Sequence, residues 1–310
     1  MKKFVVKTLL LSLPIVILAI SIEYLLQQIP NDYSYKKNYL DKYADKIQIL
    51  ISGSSETYFG INPVHISHNA FNASHVSQSL DYDLAIYNKY QNNLNDLKVI
   101  VLPISVSTFW SKLAEGGESF RVKNYVIYYG MDANSINNYS ELLSNELMYN
   151  FGRLYNYYIL KKDDMTCTEL GWGATYKSEE ALDLYETGKI AATRHNKDIF
   201  AENRIRIFEE NMKVLNLFLE LLNKKDIKLI FLTTPAYYTY RENLNSVQLN
   251  KMVETINNFV KQFSNCYYFN WFEDTDFEAT DFYDGDHMNE IGAEKLSKKL
   301  SSAIDSLGIF

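Results

Sequence analysis

Two short segments near opposite ends of the chain hold the residue types that nucleophilic chemistry needs. One is Gly53-Ser54-Ser55-Glu56 and the other is Asp284-Gly285-Asp286-His287. A serine hydroxyl is a weak nucleophile until a base takes its proton, and an imidazole base needs a carboxylate to fix its tautomer. Asp284 and His287 stand three apart on a turn ahead of a helix, so the carboxylate can reach the ring. A serine at a helix start presents its hydroxyl beside backbone N–H groups that would face a developing oxyanion. Each segment also has an ordinary explanation. Serine is a common helix N-cap, and an acidic loop with one capping histidine is common on surfaces. Glu56 reads as a first-turn helix charge.

The elements that must position these residues alternate. Ile47 to Ser52 (IQILIS) is a short apolar, β-branched run ending at Gly53 and predicts a buried strand. Lys98 to Ser105, Ile227 to Thr234 and Cys266 to Trp271 predict three more, and Ala70 to Ser74 a further short one. Between them, Leu80 to Leu94, residues 202–224 and Ser246 to Phe263 carry apolar residues at helical spacing, and a last helix is expected from Asn289 to Ile304. This alternation predicts an α/β fold, a flavodoxin-like three-layer α/β/α sandwich with a mostly parallel sheet. In such sheets ligands gather beyond the carboxyl ends of the strands, where both segments fall. The stretch from about 115 to 200 breaks the alternation and reads as a large aromatic-rich insertion.

With GSS at 53–55 after the first strand and DGDH at 284–287 before the last helix, the chain resembles the SGNH/GDSL hydrolase superfamily. The variant looks closest to membrane-anchored, extracytoplasmic members of the DltD and AlgJ type, which act on cell-envelope or exported polymers. The resemblance implies Ser55 as nucleophile, His287 as base and Asp284 as orienting acid, with Asp286 the lesser candidate because it immediately precedes the histidine. It also implies a serine acyltransferase or esterase acting on a polysaccharide, supplied by a multi-pass membrane acyltransferase. The alternative is a catalytically degenerate accessory protein of a polysaccharide-modification complex. The family's second-block glycine and third-block asparagine have no counterparts here. Asn72 could instead donate an amide to the oxyanion, and Ser105 or Ser107 a hydroxyl.

The first thirty residues suit this location. Lys2, Lys3 and Lys7 precede an uncharged run from Thr8 to Ile22, and flanking apolar residues bring it near the roughly 20 residues that a span needs. The lysines should stay on the cytoplasmic side, leaving the rest outside. An uncleaved anchor over 1–30 is favoured above a cleaved signal, followed by a connector over 31–46 and the α/β domain over 47–310. Beyond residue 30 there are 28 basic and 37 acidic residues. That balance does not suit a nucleic-acid phosphate backbone or an anionic lipid surface. The whole chain of 310 residues is 47% hydrophobic and 15% aromatic, which excludes a disordered protein. Cys167 and Cys266 are too few for a disulfide scaffold. His65, His68 and His75 cluster without a metal-ligand pattern, and no phosphate-binding glycine motif is present, so neither metal nor cofactor is expected. Tyr149 to Leu160 could stack on sugars or form the insertion's own core. The ELGWGATYKSEE run could lid the site on hinges at Gly171 and Gly173.

Overall fold

A computed structural model describes residues 1–310 apart from Asn134 and the side chain of Val5. The strands are β1 (Ile49–Ile51), β2 (Ala70–Asn72), β3 (Val99–Pro103), β4 (Lys228–Thr233) and β5 (Cys266–Asn270). The helices in the first half are α1 (Lys2–Gln27), α2 (Asp32–Tyr43), α3 (Ser55–Gly60), α4 (Leu80–Tyr90), α5 (Val122–Tyr129), α6 (Glu141–Ser144) and α7 (Leu147–Leu154). Those in the second half are α8 (Leu184–His195), α9 (Glu202–Lys224), α10 (Tyr238–Glu242), α11 (Ser246–Gln262) and α12 (Glu290–Ser306). The chain divides into two units, Met1–Asn38 with Gly117–Met165, and Tyr39–Gly116 with Thr166–Phe310.

The larger unit is a three-layer α/β/α sandwich. Its sheet runs β2-β1-β3-β4-β5 with every pairing parallel. Successive strand residues point to opposite faces, so a strand buried on both sides must be apolar throughout. Ile49, Ile51, Val99, Val101, Ile230 and Leu232 therefore face one side, where α12 buries Ala293, Leu296, Leu300 and Ile304 against them. Leu50, Ile100, Leu102, Leu229 and Phe231 alternate with these and are fully buried too. On their side α9 packs on β4 and α4, and α11 packs on β5. Tyr87 of α4 meets Phe218 of α9 at 5.3 Å between ring centroids. The strand order reverses direction between β1 and β3, which places the switch-point crevice beside the turn after β1.

The smaller unit gathers α1 with α5, α6 and α7. Glu23, the one acidic residue of α1, accepts hydrogen bonds from Ser140 Oγ (2.6 Å) and from the N–H groups of Glu141 and Leu142 (both 2.9 Å). It thus satisfies the open N–H groups at the start of α6. The Glu141 carboxylate, almost fully buried, receives Lys123 at 2.7 Å, Arg153 at 2.8 Å and the Tyr128 hydroxyl at 3.0 Å.

Three boundaries differ from the sequence expectation. Residues 31–46 are mostly helical, because Tyr33, Lys36 and Leu40 of α2 are buried. The expected insertion at 115–200 falls into both units, with 117–165 in the smaller and 166–200 in the larger. Tyr149 to Leu160 is not a core: Tyr149, Phe151, Tyr155 and Ile159 are all exposed.

Candidate active site

The turn after β1 is shaped by contacts on both sides. Gly53 has φ +103°, and a Cβ there would lie 2.1 Å from Pro103 Cδ at the end of β3, so only glycine fits. Its N–H donates to Asp83 Oδ1 at 2.7 Å, and Gln78 Nε2 donates to the same oxygen at 2.6 Å. Burial pushes the Asp83 carboxyl up to about 7. Ser54 stands at the N-cap position of α3, but its hydroxyl donates to the Glu56 carboxylate and not back to the helix N–H groups. Ser55, the first residue of α3, is left facing the other segment. Its N–H makes no hydrogen bond among the described residues, as the first helical position dictates.

The second segment folds as a turn organised by Asp284. Its Oδ1 accepts from the N–H groups of Asp286 (3.1 Å) and His287 (2.9 Å), and also lies 2.9 Å from His287 Nδ1. His287 Nε2 is 2.8 Å from Ser55 Oγ. The hydroxyl, ring and carboxylate are therefore in series, within the 2.6–3.2 Å range for proton transfer. Asp284 holds its proton less readily than an ordinary carboxyl. Burial opposes this, but the His287 charge and hydrogen bonding outweigh it.

Asp286 is also close, with Oδ1 3.5 Å from His287 Nδ1. Its other oxygen accepts from Arg194 at 3.2 Å, and His195 Nδ1 is 3.8 Å away. Burial first, then Asp284, raise the Asp286 carboxyl to about 6. His287 itself is raised to about 9: burial alone would lower it, but the Asp286 and Asp284 carboxylates outweigh burial. His195 goes the other way, to about 4, through burial, while its Nδ1 pairs with the Tyr240 hydroxyl at 2.7 Å. A cavity of about 20 Å³, on the order of one water, lies among Glu56, Ser105, Thr233, Tyr240 and Asp286.

An aromatic stack walls the ring of His287. Tyr176 lies face to face between Phe59 (3.7 Å) and Tyr283 (3.9 Å) and meets His287 edge-on at 5.6 Å. Sequence reading missed Asp83 and Tyr176, since neither belongs to a motif. Phe59 was within reach, because four residues after Ser55 is one helical turn on the same face.

The expected oxyanion donors are placed otherwise. The Asn72 amide donates to Thr57 O and Ile61 O, both at 2.8 Å, so both its hydrogens are committed to holding α3. The Ser105 hydroxyl pairs with Thr108 Oγ1 at 3.2 Å, while Ser107 precedes a 3-10 turn at Thr108–Trp110. Nor is the ELGWGATY run a hinged lid. Trp172 Nε1 donates to Phe59 O at 2.6 Å and the Gly173 N–H to Tyr58 O at 2.9 Å, which tie it to α3. His68 pairs with Asp305 at 2.8 Å, and the His75 N–H donates to Gly53 O. Among the described residues, Asp284, Asp286 and His287 are the acid and imidazole groups close enough to share a cation.

No family model matches this chain, and no curated protein does. Three solved structures align loosely with it, all at 10% identity. A candidate acylhydrolase from Bacteroides fragilis aligns over 88% of this chain and 96% of its own, with a TM-score of 0.43. A candidate platelet activating factor from Streptococcus pneumonia aligns over 95% and 98%, with a TM-score of 0.41. A GDSL-like lipase from Bacteroides thetaiotaomicron aligns over 89% and 99%, with a TM-score of 0.39.

Proposed function

We propose that the chain is a serine acyl-transfer enzyme, an esterase or O-acyltransferase of the SGNH/GDSL kind. The observation that carries this reading is the Ser55–His287–Asp284 series, with 2.8 Å and 2.9 Å contacts at the end of β1 in a 2-1-3-4-5 parallel sheet. His287 Nε2 takes the Ser55 proton as Oγ attacks the acyl carbonyl. Asp284 and Asp286 stabilise the imidazolium, and the open Ser55 N–H faces the oxyanion. His287 then returns the proton to the leaving oxygen, giving an acyl-serine that water or an acceptor hydroxyl resolves.

The same proposal gives the place and substrate. The helix α1 is long and apolar enough to cross a membrane, and it begins beside Lys2 and Lys3. Anchored there with the α/β domain outside the cytoplasm, the enzyme would modify an envelope or exported polysaccharide. An acetyl or other acyl group would come from a multi-pass membrane acyltransferase, since coenzyme A is not available outside. One observation favours the second reading, an accessory protein with a relic site: Asn72 is committed elsewhere, and loss of one oxyanion donor costs about 2.7–4 kcal/mol.

A serine-reactive fluorophosphonate separates the two. The enzyme reading expects labelling of the wild-type chain that disappears in Ser55→Ala and persists in Ser54→Ala. Folded wild-type chain that stays unlabelled across pH 6–10 would leave the accessory role.

A further inference from the structure

The helix α7 is inside out. Its buried residues are the polar Asn150 and Arg153, whereas Leu147, Met148, Tyr149 and Phe151 are exposed, with Met148 at 77%. The π-helical turn that follows, Tyr155–Ile159, continues the pattern with Tyr155 and Ile159 outward. Residues 147, 151, 155 and 159 form one apolar stripe. A water-soluble surface helix has the opposite arrangement, apolar inward and charged outward. From 147 to 160 the only charged residue is Arg153, and it is held inside by Glu141 (2.8 Å) and Asp164 (2.7 Å). The inversion is thus fixed by a buried ion network and is not a loosely packed segment.

The same unit states what covers this face. Glu23, near the end of α1, binds the start of α6, and the Tyr158 hydroxyl donates to Leu25 O at 3.1 Å. Both ends of the α6–α7 segment are therefore tied to the last turn of α1. That helix has 26 residues, about 39 Å, against roughly 30 Å of bilayer hydrocarbon. With Lys7 at one boundary, the last turn, about 30 Å further along the helix, lies at the other. Tyr149, Tyr155, Tyr157 and Tyr158 then fall at the depth where tyrosine concentrates in membrane proteins.

We propose that α7 and its π turn lie in the lipid–water interface, with Leu147, Met148, Phe151, Tyr155 and Ile159 among the outer ends of phospholipid acyl chains. Attachment is apolar and independent of lipid charge, because the exposed stripe bears no cation. The proposal rests on α1 being a membrane anchor and is independent of the chemistry at Ser55.

The test uses the full chain with Cys167→Ser, reconstituted in nanodiscs of phosphatidylcholine brominated on its acyl chains. A fluorophore is placed at Met148→Cys, at Ile159→Cys, at Val16→Cys in α1, or at Lys261→Cys in α11. Bromine should quench the 148 and 159 labels at least twofold, and should quench 16 strongly. The label at position 261 is the control and reports background quenching. Replacing a quarter of the lipid with phosphatidylglycerol, or adding salt, should change nothing. Quenching at 16 without quenching at 148 and 159 overturns the interfacial helix while keeping the anchor. Protection of 148 from aqueous iodide without bromine quenching assigns the face to a protein contact and also overturns it. Absence of quenching at 16 overturns the anchor and the inference together.

Discussion

His287 stands between two carboxylates, and this sets how the site should respond to pH. Asp284 approaches Nδ1 at 2.9 Å and Asp286 at 3.5 Å, and the ring is raised to about 9. At pH 7 roughly one ring in a hundred would then be neutral and able to act as base. The expected kcat/KM therefore rises with pH to a midpoint near 9. Asp286→Asn should move that midpoint down by about one unit, since a nearby charge is removed. A midpoint unmoved in Asp286→Asn would leave Asp284 as the only carboxylate that matters. The folded state holds this proton more tightly than the unfolded chain, whose histidines titrate near 6.5. His287 thus contributes stability that is complete below about pH 6.5 and is lost as pH rises through about 9. Asp83 acts one step further away, by accepting the Gly53 N–H. Asp83→Ala leaves that buried donor unpaired and should cost about 1–3 kcal/mol in denaturant unfolding. Asp83→Asn keeps an acceptor and removes a carboxyl that burial already disfavours, so it should cost less than half as much.

At the scale of elements, the site is a turn and a loop wedged between helices. The loop bearing Asp284 and His287 is held by α8 and by the start of α10. Thr187 Oγ1 accepts from the Gly285 N–H at 3.1 Å, and Gly285 O accepts from the Tyr237 N–H at 3.0 Å. A Cβ on Gly285 would lie 2.2 Å from Gly188 Cα and 2.5 Å from its nitrogen. Both are backbone atoms that cannot rotate away. Gly285→Ala should therefore displace the loop, lowering fluorophosphonate labelling by more than tenfold while circular dichroism stays nearly unchanged. The stack of Phe59, Tyr176 and Tyr283 walls the ring in a different way. Tyr176→Ala removes the middle ring, and loosening of His287 should then reduce the labelling rate more than it reduces thermal stability.

At the scale of the whole molecule, the two units rest on different physics. The larger has an apolar sheet core, and the smaller has Glu141 buried with Lys123, Arg153 and Tyr128. Glu141→Gln leaves the buried Lys123 ammonium without its carboxylate and Arg153 with Asp164 alone, and breaking a buried pair in this way costs about 3–5 kcal/mol. Hydrogen exchange of residues 117–165 should rise sharply in this variant, and unchanged protection there would show that the network does not hold the unit. The sequence by itself determined the five strands, the helices at 202–224 and 246–263, and the apolar N-terminal run. Each is written in local periodicity, and strands buried on both faces can only be apolar. That Ser55, His287 and Asp284 come together was also legible, because a turn after the first strand and a turn before the last helix must meet at one sheet edge. The tertiary structure decided the rest. Asn72 was a candidate oxyanion donor by its place at the end of the second strand, yet the carbonyls of Thr57 and Ile61 take its hydrogens, since a fully buried amide must be paired. The aromatic run at 149–160 looked like a core, and it faces outward because a buried ion network claimed its polar side. Asp83 and Tyr176 reach the site through contacts between segments far apart in the chain, and such contacts leave no mark on local spacing.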